Sequence, residues 1–303
     1  RATIEKLLFA ELRERRAARR WRLLRSLLWM GLVGALVWVL ASEQLPSATP
    51  SSAHTAMVAI KGEISDAGEG SAEYILPALR SAMQDKGAQA LVLLINSPGG
   101  SPVQAGLIHD EIRRLRALHD KPVYAVVEES CASAAYYIAA GADRIYVDKA
   151  SLVGSIGVLI NGFGFTGTLD KLGVERRLLT AGENKGFLDP FSPQSDAQRA
   201  HAQRMLDQIH QQFIGVVRQG RGERLKETPE MFSGLFWTGE QAVQLGLADG
   251  LGSLDMVARE VVKAEKLVDY TNKENIAERF AKRLGASVGQ GAMAALRGGA
   301  GWR

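Results

Sequence analysis

Residues 90–101 read ALVLLINSPGGS: six apolar positions in a row, then Asn-Ser-Pro-Gly-Gly-Ser. An uninterrupted apolar run of this length fits a strand covered on both faces. The Gly-Gly pair after it lets the backbone turn sharply and leaves N–H groups open to a ligand. Downstream, residues 102–119 place Val103, Leu107, Ile108, Ile112, Leu115 and Leu118 on one helical stripe. Val123–Val127 reads as the next strand, Cys131–Ala140 as a helix of small residues, and Arg144–Val147 as a further strand. Upstream, Met57–Ile60 reads as a first strand and 71–86 as a helix whose middle Pro77 disturbs. Leu206, Ile209, Phe213, Val216 and Val217 mark a long amphipathic helix over 194–219. Strand and helix alternate, so the expected fold is α/β: a parallel sheet with crossover helices.

The whole chain has 303 residues, 46% of them hydrophobic and 23% charged, an ordinary globular composition. Its one cysteine, Cys131, excludes an intrachain disulfide and a Cys-rich zinc site. The net charge of +4 suggests a nucleic-acid partner until its distribution is read. Residues 1–25 hold nine basic against three acidic side chains, which leaves the other 278 residues at −2. No nucleic-acid partner is therefore expected.

The neighbouring stretch accounts for the basic segment. Ser26–Ala41 reads SLLWMGLVGALVWVLA, uncharged throughout. With Leu23, Leu24 and a snorkelling Arg25 it approaches the ~20 residues a bilayer needs. The expected organisation is a basic cytoplasmic segment 1–22, a transmembrane helix 23–41 in the lipid bilayer, and a Pro/Ser/Thr-rich stalk 42–55. A catalytic domain comes next at 56–269 and a mobile tail at 270–303. Basic residues on the N-terminal side predict a cytoplasmic N-terminus and an extracytoplasmic domain. A cleavable signal peptide is the alternative, with Ala41-Ser42 as small residues; the long basic region and the lack of a clean A-x-A site favour the anchor.

Three segments carry candidate chemistry. The Asn96–Ser101 turn offers backbone N–H groups for a phosphate or an oxyanion, or is simply a tight β–α turn. In Ser130–Tyr137 a serine between strand and helix exposes its hydroxyl beside helix-start N–H groups, or serves as an N-cap. In Thr180–Phe191, TAGENKGFLDPF, Lys185 lies between glycine and apolar residues. Held against a low-dielectric surface, such a lysine loses its charge and becomes a general base; a solvated loop lysine is the plainer reading.

In order and spacing these segments resemble the signal peptide peptidase A family, membrane-anchored serine proteases with a Ser-Lys dyad on a Clp protease/crotonase-like fold. The resemblance rests on NSPGGS at 96–101, ASAAYYIAAGADRIY at 132–146, SLVGSIGV at 151–158, LTAGENKGFLDPF at 179–191 and FWTGEQAVQLGLADGLG at 236–252. It covers roughly Met57 to Val262. It implies Ser133 as nucleophile, Lys185 as general base and Ser155 as the serine that positions the lysine. It implies Gly100 and Ala134 as oxyanion-hole donors, with Gly99 as the substitute for Gly100. Ala132, Ala135 and Ile156 would supply an apolar wall for small and apolar side chains. No metal and no cofactor is implied.

The resemblance further implies peptide substrates, remnant signal peptides among them, and an address at the bacterial inner membrane with the protease domain on the periplasmic side. The chain has one copy of each motif, as in the half-length members. Those assemble into rings resembling octamers, in which neighbours share a site, so a homo-oligomer is expected. Two departures stand out. Ala134-Ala135 replaces the usual Gly-Gly after the nucleophile, and Leu235 stands where a basic residue is common. Two rival readings stay open at this point: a crotonase-like acyl-CoA enzyme and a catalytically silent scaffold of the same fold. A histidine triad is disfavoured because His54 lies in the expected stalk and His109, His119, His201 and His210 on amphipathic helices. Nothing near Cys131 promises a thiolate.

Overall fold

The chain lays down strands and helices in alternation, and all eight strands among the described residues join one sheet. The structure is a computed structural model that describes residues 52–271 and, near the N-terminus, 21, 24–32 and 34 of a helical segment. The chain divides into two units, 1–50 and 51–303. The basic segment 1–22, the span 23–41, the stalk as far as residue 51 and the tail beyond residue 271 lie largely or wholly outside the described residues. No helix among the described residues is long and apolar enough to cross a membrane.

Strand β1 (His54–Lys61) leads through helix α1 (Ala72–Gln84) to β2 (Ala88–Ser97), which pairs parallel to it. Helix α2 (Pro102–Leu118) then leads to β3 (Val123–Ala132), again a parallel neighbour. Helix α1 runs through Pro77. The proline's missing N–H leaves the Glu73 carbonyl without a helical donor, and Glu73 is exposed, so solvent takes that place. Helix α2 starts cleanly because the Ser101 hydroxyl accepts from the Gln104 N–H and Pro102 fits the first helical position.

The sheet forks at β3. This strand runs five residues past the apolar stretch Val123–Val127. Its first half pairs with β4 (Arg144–Val147) and its last three residues with β5 (Leu152–Gly154). Between them a register shift separates the Ile95–Val127 pair from the Ser97–Cys131 pair. Helix α3 (Ala134–Ala139) continues from β3 without a loop, and is shorter than the expected Cys131–Ala140 because Cys131 and Ala132 belong to the strand. Among the described residues the further elements are α4 (Thr166–Leu172), α5 (Asp196–Arg221) with a 3-10 turn at Gly222–Arg224, β6 (Phe236–Thr238), α6 (Gly239–Gln244), β7 (Gly250–Leu251), α7 (Leu254–Met256) continued by a π-helical turn at Val257–Val262, and β8 (Leu267–Asp269). Among the described residues only β6 is antiparallel to its neighbour.

The main core fills one face of the sheet. Val58, Leu93 and Ala125 pack there with Leu79 of α1, Ile112 of α2 and Val217 of α5. The other face is a smaller cluster of Val92, Leu94, Val126 and Tyr146 under Val257.

Two expected boundaries move. His54 and Thr55, read as stalk, are buried in β1. The His54 ring bonds Ser52 O and the Tyr270 hydroxyl. At the other end Tyr270 and Thr271, read as the start of a mobile tail, are fixed. Tyr270 N–H donates to Met57 O, its hydroxyl donates to Asp85, and the Thr271 hydroxyl accepts from Ala59 N–H. Backbone pairing beside β1 continues past Asp269, and that holds both residues.

Candidate active site

Ser133 leaves β3 directly and opens α3, with φ +53° and ψ −122°. A side-chain-bearing residue rarely sits there, and the surroundings must hold it. They do so on three sides. Its N–H donates to Gly154 O at 2.8 Å, and its carbonyl accepts from Tyr137 N–H at 3.0 Å. Behind it lies Gly99, where a Cβ would come 2.6 Å from Ser133 Cβ. Ser155 leaves β5 in the same way, with φ +50° and its N–H donating to Leu235 O at 2.8 Å. Because Ala132 pairs with Gly154, the two serines emerge side by side from adjacent strand ends.

The Gly-Gly turn is locked by the segment just after β1. Ile64 N–H donates to Gly99 O at 2.8 Å and Ser101 N–H to Ile64 O at 2.7 Å. At Gly100, φ is +143° and a Cβ would lie 2.0 Å from Ile64 O, so only glycine fits. The Gly99 N–H donates to Ser97 Oγ at 3.2 Å. Among the described residues the N–H groups of Gly100 and Ala134 have no hydrogen-bond partner. The free pair is thus Gly100 and Ala134, and Gly99 serves as the close-approach residue behind Ser133.

Ser133, Ser155, Gly100 and Ala134 line one groove of about 610 Å³. Its apolar wall is Tyr137, Val158, Leu159, Ile209 and Phe213. The wall expected from Ala132, Ala135 and Ile156 is not this one. All three are fully buried, and none of them lines the groove. Being next to a serine in sequence does not put a side chain on the serine's side. Tyr137 and Phe213 tilt against each other with ring centres 5.3 Å apart, which joins α3 to α5 in the groove floor. His210 of α5 bonds Ile156 O through Nε2 at 3.0 Å and so holds the turn that carries Ser155.

Lys185 is not in this groove. It lies exposed on the segment after α4, and its side chain makes no hydrogen bond or ion pair among the described residues. The low-dielectric setting expected for it is absent among the described residues. That segment keeps its own small aromatic cluster, with Phe191 stacked on Phe165 at 5.5 Å and the Arg176 guanidinium 5.9 Å above the Phe191 ring. Large apolar side chains are exposed on both sides of α4: Leu159, which also edges the groove, is 78% exposed, Phe163 75% and Leu179 96%.

The other nucleophile candidate is closed off. Cys131 is fully buried, and burial pushes its thiol far up from the ordinary range. No histidine lines the groove. Among the described residues no group of three His, Cys, Asp or Glu side chains is placed to hold a metal ion.

Residues 116–269, just over half of the chain, match the family model described as peptidase family S49. This chain belongs to peptidase family S49. The S49 match begins at the end of α2 and takes in Ser133, Ser155 and Lys185; Gly100 lies before it. The chain is 49% identical over 178 residues to a protein of Brucella melitensis named Na(+)/H(+) antiporter NhaA, covering 58% of this chain and 24% of that protein. It is 31% identical over 222 residues to a protein of Enterococcus faecium carrying the name signal peptide peptidase SppA, covering 71% and 64%. Among solved structures, a membrane-bound stomatin-specific protease aligns with a TM-score of 0.43 and 16% identity, covering 74% of this chain and 95% of that one. The chain spans less than two thirds of the length of either curated relative.

Proposed function

We propose that this chain is a serine endopeptidase in which Ser133 is the nucleophile and Lys185 the general base. One observation carries the reading: a serine held at φ +53° beside two unpartnered backbone N–H groups, in an apolar groove. In the proposed reaction the unprotonated Lys185 amine takes the Ser133 hydroxyl proton as Oγ attacks a peptide carbonyl. The Gly100 and Ala134 N–H groups donate to the oxyanion that forms, each worth about 3–4 kcal/mol in serine peptidases of known energetics. The lysine ammonium then protonates the leaving amine. Water, deprotonated by the same amine, releases the acyl group. Ser155 positions the lysine.

Within one chain Lys185 stands away from the Ser133 groove, on a segment rich in exposed apolar side chains. Both facts support a homo-oligomer, ring-like and resembling an octamer, in which the lysine of one protomer completes the site of its neighbour. The groove wall fits peptides with small and apolar side chains, remnant signal peptides among them. The apolar stretch over 23–41, uncharged from Ser26 to Ala41, supports a single membrane anchor with the peptidase domain on the periplasmic side of a bacterial inner membrane.

The test is cleavage of a fluorogenic peptide with Ala before the scissile bond, by wild type, Ser133→Ala and Lys185→Ala in detergent. Loss of activity in both variants, at unchanged circular dichroism, is the expected result. Equal activity in all three would sink the assignment.

A further inference from the structure

A second cleft lies behind the catalytic helix. It is bounded by α2, the loop 140–143 and the end of α5, and has a volume of about 190 Å³. That is room for roughly six waters, too small for a peptide and suited to a small solute. Its lining holds three guanidinium groups, Arg113, Arg116 and Arg224, against one carboxylate, Asp143.

The guanidinium groups are fixed by internal bonds, and two keep donors free. Arg224 has every guanidinium nitrogen engaged, donating to Arg221 O, Asp143 O, Asp249 and Gly220 O. Arg116 donates through Nη1 to Gly141 O and through Nη2 to Asp143, leaving Nε. Arg113 donates through Nη1 to Gln219, leaving Nε and Nη2.

His109 supplies the second observation. Its side chain is 3% exposed, yet it lines this cleft. Nδ1 pairs with Asp110 at 3.1 Å, and Nε2 has no partner among the described residues. The Nε2 edge lies against Gly141, where a Cβ would come 3.0 Å from His109 Cδ2 and 3.6 Å from Nε2. The missing side chain keeps the ring edge open to the cleft. Asp110 can only accept, so Nδ1 carries a proton and the neutral ring offers a lone pair at Nε2.

We infer that this cleft binds a phosphate group, held by the free donors of Arg113 and Arg116 and by Nε2 of His109. A tetrahedral oxyanion matches converging guanidinium donors, and charge-assisted bonds of this kind are the strong ones. Binding takes up a proton, which lies between Nε2 and a phosphate oxygen in the complex. Burial first, then Arg113 and Arg116, hold the empty site's imidazole below its ordinary range, while Asp110 opposes them. The other groups around the ring are Tyr137 of α3, whose ring meets it edge-on at 5.3 Å, with Asp143 and Arg224 across the cleft.

The experiment is calorimetric titration of the full chain with inorganic phosphate, in two buffers of different ionisation heat, at a pH above the imidazole's range and at one near it. Wild type is expected to bind with net proton uptake and more tightly at the lower pH. Arg113 is exposed and outside the peptidase groove, so Arg113→Gln folds and is expected to bind at least tenfold more weakly. His109→Gln is expected to lose the proton uptake. A parallel arm uses glycerophosphoglycerol, the soluble diester of a lipid headgroup: binding equal to phosphate assigns a headgroup, binding of phosphate alone assigns the free ion. No binding of either, or binding unchanged in Arg113→Gln, overturns the site. Ser133→Ala is expected to bind as wild type does, so the result stands apart from the peptidase reading.

Discussion

The strand ends that carry Ser133 and the arm that carries Lys185 are built in opposite ways. Around Ser133 nearly every neighbour is buried: Ala132, Ala134, Ala135, Val153 and Ile156. From residue 157 to residue 195 no side chain is fully buried. The first region is specified by its own chain, through strand pairing and close glycine approaches. The second turns its apolar side chains to the outside, where a single chain gives them nothing to cover. Contiguous exposed apolar surface of this kind marks an interaction face. The difference says which of the two regions a lone chain holds in place.

The largest effect expected is from mixing. Ser133→Ala and Lys185→Ala, each inactive alone, should regain about a quarter of wild-type activity when randomly co-assembled, if each site draws on two neighbours of a ring. No recovery in verified mixed oligomers would return both groups to one chain. Next comes the rigid half. Gly100→Ala places a Cβ on Ile64 O, so about 3 kcal/mol or more of stability should be lost in chemical denaturation, with activity falling by ~10²-fold or more. A stable, active Gly100→Ala would mean that the turn is softer than its bonds to Ile64 indicate.

The arm should respond in reverse. Leu179→Asp is expected to shift the sedimentation coefficient toward the monomer while changing monomer stability by only about 0.5 kcal/mol, as for an exposed site. An unchanged oligomer would detach the arm from assembly.

The smallest effect concerns acid. Glu111 sits on α2 with its side chain 9% exposed. Its hydrogen bond to Arg114, helped by Arg80 of α1 and opposed by burial, brings its pKa down to about 2. A carboxylate depressed in the folded state stabilises it above the ordinary carboxylate range, and that contribution is lost as pH falls toward 2. Glu111→Gln should flatten the loss of stability between pH about 4.5 and 2. An unaltered acid profile would show that the α1–α2 ion cluster does not matter to the rigid half.

The parts legible in the sequence are those that local pattern encodes. Ala90–Ile95 became the middle of β2, the stripe from Val103 to Leu118 became α2, and Arg144–Val147 became β4 unchanged. Strands of two or three residues, such as β6, β7 and β8, leave no periodic signal and were not readable. Nor was the extension of β3 through Glu128, Glu129 and Ser130, because charged residues at a strand's end look like a loop. At the site, Ser133, Gly100 and Ala134 were legible because a backbone turn defines them. The groove wall was not. Tyr137, Ile209 and Phe213 come from helices far apart in sequence, and the i,i+4 pair on α5 shows a helical face without showing what it meets. The lysine was legible as a residue type, while its setting depends on surfaces beyond its own chain.

The order of the site's parts along the chain bears on how a new molecule is made. Ile64, Gly100, Ser133 and Gly154 all come from a single run, 54 to 157, in which each strand pairs with one already synthesised. Ser133 and the free N–H groups of Gly100 and Ala134 therefore emerge before Lys185 has left the ribosome, and Leu235, which fixes Ser155, emerges later still. Domains gather from the N-terminus as they emerge. A nascent chain thus carries the strand-end turns first, and the Lys185 arm and the groove wall of Ile209 and Phe213 are added to them only later.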